Sequence, residues 1–255
     1  MKRSLLLKSL LAVAIIGTTH LPDAYAAFSF GTNSSGVQDV TMNASDVGQS
    51  FTADWLCSAN TTCGTSGTTP KTLSATGTFT LDSYKSSEIT LSATIKNTTS
   101  PSIQAALMSI GISAPNLAPS WGTPGSVFTS IGPAGGQNEN FPGGFNGINA
   151  CIYASNGCNG GTIADGLGDG YTGGSMNPLS TDSFKFILAT NSGTIGSSLT
   201  LSDFAVKFQT QYGSYEFGDG LGPSPTPEPG SFWLLGSALL AMIGLQIRKG
   251  MPKKA

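Results

Sequence analysis

The near absence of histidine limits the chemistry that this chain can do. The single histidine, His20, lies in an N-terminal apolar segment that we expect to be removed on export. Catalytic triads that use histidine, and metal sites with imidazole ligands, are therefore excluded from the rest of the chain. Cysteines, carboxylates and aromatic rings remain as candidates.

The four cysteines form two pairs that are close in sequence, Cys57 with Cys63 and Cys151 with Cys158. An even number of cysteines in an exported chain predicts disulfides, and the short spacing favours bonding within each pair. Sequence alone leaves the connectivity open. A metal site of four thiolates is the alternative, which an oxidising compartment disfavours. We therefore predict no metal site at these cysteines.

Three carboxylates lie in glycine-rich contexts, where a flexible backbone could bring them to a hard cation: Asp165, Asp169 and Asp219. Calcium is the only metal that this set suggests, and the spacing does not match an EF-hand loop. Asp-Gly is also an ordinary turn sequence, so we predict no cofactor and keep calcium as the alternative. A glycosidase would need two carboxyls about 5 to 10 Å apart, and no spacing selects such a pair. We therefore predict that the protein is not an enzyme.

Aromatic residues near the end of the body could form a surface for sugar rings. The stretch Gln209–Phe217 contains Tyr212 and Tyr215 among neutral polar residues. Flat aromatic faces on a β-sheet protein suit carbohydrate, although such residues more often pack the core or its rim. Tyr212 and Tyr215 are thus our candidate carbohydrate contacts.

Alternating apolar and polar residues predict strands through most of the body. The odd positions of residues 73–81 and 89–95 are apolar, which predicts a hairpin of two half-buried strands. Further strands are predicted near 103–113, at 184–188 and, as the partner of the last, at 199–208. The apolar phase changes within residues 199–208, so we expect a β-bulge at Ser202-Asp203.

These patterns predict an all-β fold, a single antiparallel β-sandwich domain over residues 27–217 with long Gly/Asn-rich loops. The residues before position 52 are expected to add one or two strands. Residues 122–178 are rich in Gly, Pro and Asn and are predicted to form an excursion held by the second cysteine pair. Residues 218–226 are predicted to be a Gly/Pro linker.

The exported part of the chain is acidic. Between Ala27 and Glu228 there are 5 lysines, no arginine and 13 acidic residues, which gives a formal net charge of about −8. Such a surface repels phosphate backbones, so we expect no nucleic-acid partner.

Both ends of the chain have the features of membrane-targeting signals. Basic residues, an apolar run and the small residues Ala24 and Ala26 predict a signal peptide over 1–26 that signal peptidase removes, leaving Ala27 first. At the other end, the uncharged apolar run 232–247 is followed by basic residues. It is just long enough to cross a bilayer as a helix, and the charge asymmetry places the body outside the cytoplasm.

Pro227, Glu228 and Pro229 stand directly before this apolar run. Together, the region 227–255 resembles the PEP-CTERM sorting signal of Gram-negative bacteria that produce exopolysaccharide. That resemblance implies transient anchoring in the inner membrane, an exosortase as the partner that cleaves near the motif, and delivery to the cell surface or extracellular matrix. The alternative is a plain C-terminal anchor that stays uncleaved.

The body also resembles a small group of PEP-CTERM proteins, the cistern family. The matching residues are 44–49, 96–99, the two cysteines Cys151 and Cys158, and 199–209. The resemblance supports location and implies no activity. We therefore expect an exported, non-enzymatic surface or matrix protein associated with exopolysaccharide or biofilm. A carbohydrate-binding or adhesive module and, less favoured, a polysaccharide-active hydrolase are the alternatives.

Overall fold

The computed structural model describes residues 28–32, 38–63, 67–133, 141–143, 145, 147–171 and 177–223. The predicted signal peptide (1–26), the PEP motif (227–229) and the predicted transmembrane helix (232–247) lie outside these residues. Within the described ranges, no helix is long and apolar enough to cross a membrane.

The described residues form twelve strands, one 3₁₀ turn and no α-helix. The strands are β1 (Ser29–Thr32), β2 (Gln38–Asn43), β3 (Ser50–Cys57), β4 (Leu73–Tyr84), β5 (Glu88–Asn97), β6 (Ala105–Ser113), β7 (Leu117–Thr123), β8 (Ser130–Pro133), β9 (Ala150–Tyr153), β10 (Thr181–Thr190), β11 (Ser198–Thr210) and β12 (Gly213–Pro223).

The strands form two antiparallel sheets that share β12. The first sheet contains β1, β2, β11, β6, β9 and β8 with the first half of β12, and the second contains β7, β10, β5, β4 and β3 with its second half. A strand that passes from one sheet to the other closes one corner of the layers. The predicted all-β sandwich is therefore confirmed.

Aromatic side chains from both sheets fill the space between them. Phe51 stacks on Phe79 with ring centroids 5.2 Å apart, and Phe204 of the first sheet meets both rings edge-on. Trp55, buried in the second sheet, donates its indole N–H to the carbonyl of Phe204 at 3.1 Å. Aromatic packing and this hydrogen bond tie the two sheets together.

The alternation of residues predicted the hairpin and its faces correctly. The odd positions of β4 from Leu73 to Leu81 are buried, and β4 pairs antiparallel with β5, with one shift in register between Leu81 and Ser83. The predicted third and fourth strands are β6 and β10. The start of the chain holds three strands, β1 to β3, where we expected one or two. Val47 lies exposed in the turn that separates β2 from β3.

The predicted bulge in β11 is present. Between Ser202 and Ala205 the pairing of β11 with β6 shifts by one residue, and Asp203 has a left-handed backbone with φ of 50°. The shift lets Leu201 and Phe204 both face the core.

The predicted pairing of residues 184–188 with residues 199–208 is wrong. β10 lies between β5 and β7 in the second sheet, while β11 lies in the first sheet beside β6, β2 and β12. The connection between β10 and β11 crosses from one sheet to the other, and two apolar-alternating strands give no sequence signal that distinguishes a crossing from a hairpin.

The predicted excursion is only partly a loop, because it contains β8 and β9, which extend the first sheet beyond β6, while other residues of it cover the outer face of that sheet. Phe141, Ile148 and the Cys151–Cys158 bridge pack on Ala205 of β11, forming a second, smaller apolar cluster. Gly111 of β6 lies beneath them, where a Cβ would collide with Phe141 and Ile148. This cover explains why β6 is buried on both faces.

The predicted linker at 218–226 begins too early. Residues 219–223 pair with β3, from Asp219 opposite Trp55 to Pro223 opposite Phe51, so the sandwich extends to residue 223. Long-range pairing here overrides a local composition of Gly and Pro that is typical of linkers.

The two ends of β12 define the two ends of the sandwich. The hairpin end contains the turn between Thr210 and Gly213, and the terminal end contains Pro223 and Phe51. Phe28 also lies at the terminal end, because its ring meets Phe51 edge-on at 5.2 Å. Both termini of the described body therefore leave the sandwich at the same end, about 33 Å along β12 from the hairpin turn.

Candidate functional site

Tyr212 lies at the tip of the hairpin that joins β11 to β12. Its side chain is 48% exposed. The Thr210 hydroxyl accepts the Tyr212 N–H at 3.0 Å and donates to the Gly213 carbonyl at 3.1 Å, which fixes the turn. The ring is therefore presented to solvent from a defined backbone.

Tyr215 does not share this surface, contrary to the predicted pair of contacts. It is 5% exposed and belongs to the main core, on the same face of β12 as Phe217. Because β12 begins at Gly213, Tyr215 follows the inward alternation of the strand, whereas Tyr212 lies in the turn before it. Of these two tyrosines, only Tyr212 is placed to meet a ligand.

An open cleft of about 550 Å³ lies at the hairpin end. Its lining contains Gln104, Gln209 and the loop residues 161–164. The Gln211 N–H donates to the Gln104 carbonyl at 3.2 Å, so the cleft adjoins the turn that carries Tyr212. Amides, a hydroxyl and one exposed ring are groups that suit the hydroxyls and apolar faces of sugars.

One carboxylate borders the cleft. Asp165 accepts the N–H and the hydroxyl of Thr162, both at 2.9 Å, and these hydrogen bonds lower the pKa of the Asp165 carboxyl. The carboxylate is therefore ionised at neutral pH and orders the 162–165 turn that forms one wall.

The other two candidate calcium ligands do not join Asp165. Asp169 is 7% exposed, one of its oxygens accepts the Tyr171 N–H at 2.8 Å, and burial raises its pKa. Asp219 belongs to β12, where its backbone lies opposite Trp55 of β3. Among the described residues, no three His, Cys, Asp or Glu side chains converge as metal ligands. The absence of a cofactor, with calcium as the alternative, stays a prediction.

Both predicted local disulfides are present. Cys57 bonds to Cys63 with Cα atoms 5.8 Å apart, and Cys151 bonds to Cys158 with Cα atoms 6.1 Å apart. The first closes the loop that follows β3, and the second fixes the loop after β9 onto the first sheet. Ser109 of β6 adds a hydrogen bond of 2.9 Å to the Cys158 carbonyl.

The excursion also covers a lysine and a glutamate that sequence analysis did not single out. Lys207 and Glu216 are paired across β11 and β12, and they are 5% and 6% exposed. Burial lowers the pKa of the Lys207 ammonium and raises the pKa of the Glu216 carboxyl, and each charge partly offsets the shift of the other. The Lys207 ammonium donates to the Asn159 carbonyl, next to the disulfide. This pair is part of the packing between the excursion and the sheet.

The structure thus defines a disulfide-bonded β-sandwich with both termini of the described body at one end and an open cleft of mixed polar and apolar lining at the other. The PEP-CTERM protein-sorting motif model matches residues 225–249, beginning two positions after the last residue of β12. The chain therefore carries a PEP-CTERM sorting signal, which marks an exported surface protein that an exosortase processes. No curated protein and no solved structure matches the chain. The resemblance of the body to the cistern family stays a prediction.

Sequence analysis identified the position of Tyr212 and missed its neighbours. Gln209 lies in the same stretch and could have been selected for its neutral amide. Gln104 and residues 161–164 are distant in the chain. The pairing of β6 with β11 brings Gln104 beside the hairpin, and the backbone bridge between Leu107 and Leu167 holds the 161–164 loop against β6.

Proposed function

We propose that this protein is a non-enzymatic surface protein whose hairpin end contacts exopolysaccharide outside the cell. The observation that carries the proposal is the separation of the two ends of the sandwich. The sorting signal continues from Pro223 at the terminal end, so an anchored body directs its hairpin end away from the membrane.

The chemistry of the hairpin end supports a neutral sugar as the ligand. The cleft is lined by Gln104, Gln209 and Thr162 together with Gly161 and the apolar Ile163 and Ala164, and Tyr212 on the adjoining turn adds an exposed aromatic face. The bordering carboxylate of Asp165 repels acidic sugars and can accept hydroxyl groups. Such a lining suits binding and positioning. A glycosidase would instead need two carboxyls that face each other across the cleft.

The test is binding of the purified, oxidised body to exopolysaccharide isolated from the native host, measured by co-sedimentation. Tyr212→Ala and Gln209→Ala are each expected to weaken binding about tenfold, which corresponds to the loss of about 1.4 kcal/mol of binding free energy. The control is Leu56→Ala, because Leu56 is 63% exposed and lies on the other sheet. Unchanged binding by both hairpin-end variants would remove the carbohydrate contact from the proposal.

Sorting is tested separately by intact mass of the protein recovered from the matrix and from membranes. A matrix form that begins at Ala27 and ends near Pro227 supports release to the surface. Recovery of only a full-length membrane form would mean that the body acts as a tethered surface domain.

A further inference from the structure

The second half of β12, residues Asp219–Pro223, is held less firmly than the first. We refer to these five residues as the β12 tail. Among the described residues, its strand pairing is with β3 alone. On its other side, the Gln38 side-chain carbonyl accepts the N–H of Leu221. The first half differs, because it pairs with β11 and buries Tyr215 and Phe217 in the core.

Two glycines weaken the β12 tail without a structural need for glycine. Neither Gly220 nor Gly222 has a positive φ, and a Cβ on either would find its nearest neighbour at 3.9 Å, an ordinary contact distance. Gly77 of β4 differs, because a Cβ there would collide with the Trp55 ring. Glycine in a strand costs stability through backbone entropy and missing side-chain contacts. The tail therefore carries a sequence that opposes its own pairing.

A conflict between local preference and the folded pairing often marks a functional segment. Here the conflict lies directly before the sorting motif. Only residues 224–226 separate Pro223 from Pro227, which allows at most about 14 Å of extended chain. An enzyme embedded in the membrane must take the motif into its active site, and a folded sandwich on so short a tether obstructs its approach.

Release of the β12 tail from β3 would remove this obstruction. The tether would then run from Gly218 to Pro227 and reach about 31 Å. Leu221 is only partly buried against the core, so its release gives up less apolar burial than release of the buried Tyr215 and Phe217 would. The aromatic anchors of the first half stay in place.

We propose that the β12 tail is part of the sorting signal: it leaves β3 while the exosortase processes the C-terminus and pairs again afterwards. Gly220 and Gly222 are the positioning residues that make release easy. The proposal rests on the sorting motif and is independent of any carbohydrate contact.

The first experiment strengthens the β12 tail in the full chain, expressed in the native host. In Gly220→Val/Gly222→Val each added Cβ meets no atom closer than 3.9 Å, and valine raises strand preference. We expect the processed fraction to fall at least about fivefold, while the thermal midpoint of the purified body stays equal or rises. The matched control is Gly218→Val, which has similar room but pairs with β11. It should be processed like the wild type.

The second experiment locks the tail covalently. Asp54 and Gly220 face each other across β3 and β12 and are both exposed, so Asp54→Cys/Gly220→Cys can form a cross-strand disulfide. The locked chain should accumulate in the full-length membrane form. Inserting six Gly/Ser residues between Pro223 and Ser224 should restore processing, because the tether is lengthened without release.

Two results would overturn the proposal. One is processing of a folded, locked chain at the wild-type rate. The other is failure of the insertion to restore processing of a folded, locked chain, which would mean that the enzyme reads the tail sequence and that tether length is irrelevant. Loss of polysaccharide binding in these variants has no bearing on the proposal, since the readout is the mass of the C-terminus.

Discussion

Removing the ammonium group of Lys207 should destabilise the protein strongly. Lys207→Met keeps most of the apolar stem and deletes the charge that faces Glu216, which is 6% exposed beneath the excursion. The glutamate would then lose the nearby positive charge that partly offsets its burial, and the Asn159 carbonyl would lose its donor. Breaking a buried charge pair in this way costs about 3 to 5 kcal/mol of unfolding free energy.

The same reasoning predicts that replacing both partners restores most of the loss. The double variant Lys207→Met/Glu216→Met should lie within about 1 kcal/mol of the wild type or be more stable, because apolar side chains carry no desolvation cost. Glu216→Gln alone should cost a similar amount to Lys207→Met, because it leaves a buried ammonium. The single and double variants form a thermodynamic cycle that measures the coupling.

The pH dependence gives an independent check on the Lys207→Met variant. Burial raises the pKa of Glu216, so the stability that the protonated carboxyl contributes is fully present below the unfolded pKa of about 4.3. That contribution is lost as the pH rises through the folded pKa. Without Lys207 to offset burial, the variant should lose more stability relative to the wild type at pH 8 than at pH 5.

Urea unfolding of the oxidised body, followed by Trp fluorescence, measures these effects, since Trp55 is buried in the core. Lys185→Met is the matched control. Lys185 contacts Asp82 at 2.7 Å with both side chains partly exposed, and such pairs are worth at most about 1 kcal/mol. A cost below about 1 kcal/mol for Lys207→Met, or a double variant as unstable as the sum of the singles, would refute the argument.

Three further predictions concern stability. Asp182→Ala should lower the unfolding free energy by about 2 to 4 kcal/mol, because the buried carboxylate accepts the N–H groups of residues 126–128 at 2.8 to 2.9 Å. Urea unfolding tests this, with the exposed-site variant Asp54→Ala as the control. An equal loss of unfolding free energy in the two variants would contradict the prediction. Asp169→Asn should gain stability relative to the wild type as the pH rises from about 4 to 7, because burial raises the pKa of Asp169 and the charged form is disfavoured. If the unfolding free energies of the variant and the wild type change in parallel with pH, the prediction is wrong. Cys151→Ser/Cys158→Ser should lower the unfolding free energy by about 2 to 3 kcal/mol, because the unfolded chain is no longer restricted by the closed loop. Thermal unfolding measures this, and an unchanged midpoint would refute it.

The faces of the strands could be predicted from the sequence because alternation is a local property. Leu73 to Leu81 has one apolar face whichever strand it pairs with. In β11, the apolar phase changes before Phe204, so one extra residue was needed there to keep the apolar side chains on one face. The short spacing within each cysteine pair favoured the local disulfides, and the structure settled the connectivity that the sequence left open. The sorting signal followed from the order of Pro-Glu-Pro, apolar run and basic end.

The order of the strands could not be predicted in the same way. β10 and β11 are neighbours in sequence, yet they belong to different sheets. The choice depends on how the loops close and on which apolar faces are buried together, and these are properties of the whole chain. The candidate cleft has the same origin, since Gln104 and Gln209 meet only because β6 lies beside β11.

The sequence by itself thus determined the class of fold, the strand faces and the sorting signal, and it favoured the local cysteine pairs. Each depends on residues within a short window, where side-chain alternation, spacing and charge act directly. The tertiary structure decided that Tyr215 is buried, that the excursion covers Lys207 and Glu216, and that the Gly/Pro-rich β12 tail is a strand. Each of these depends on contacts between distant segments, whose combined burial outweighs the preference of the local sequence.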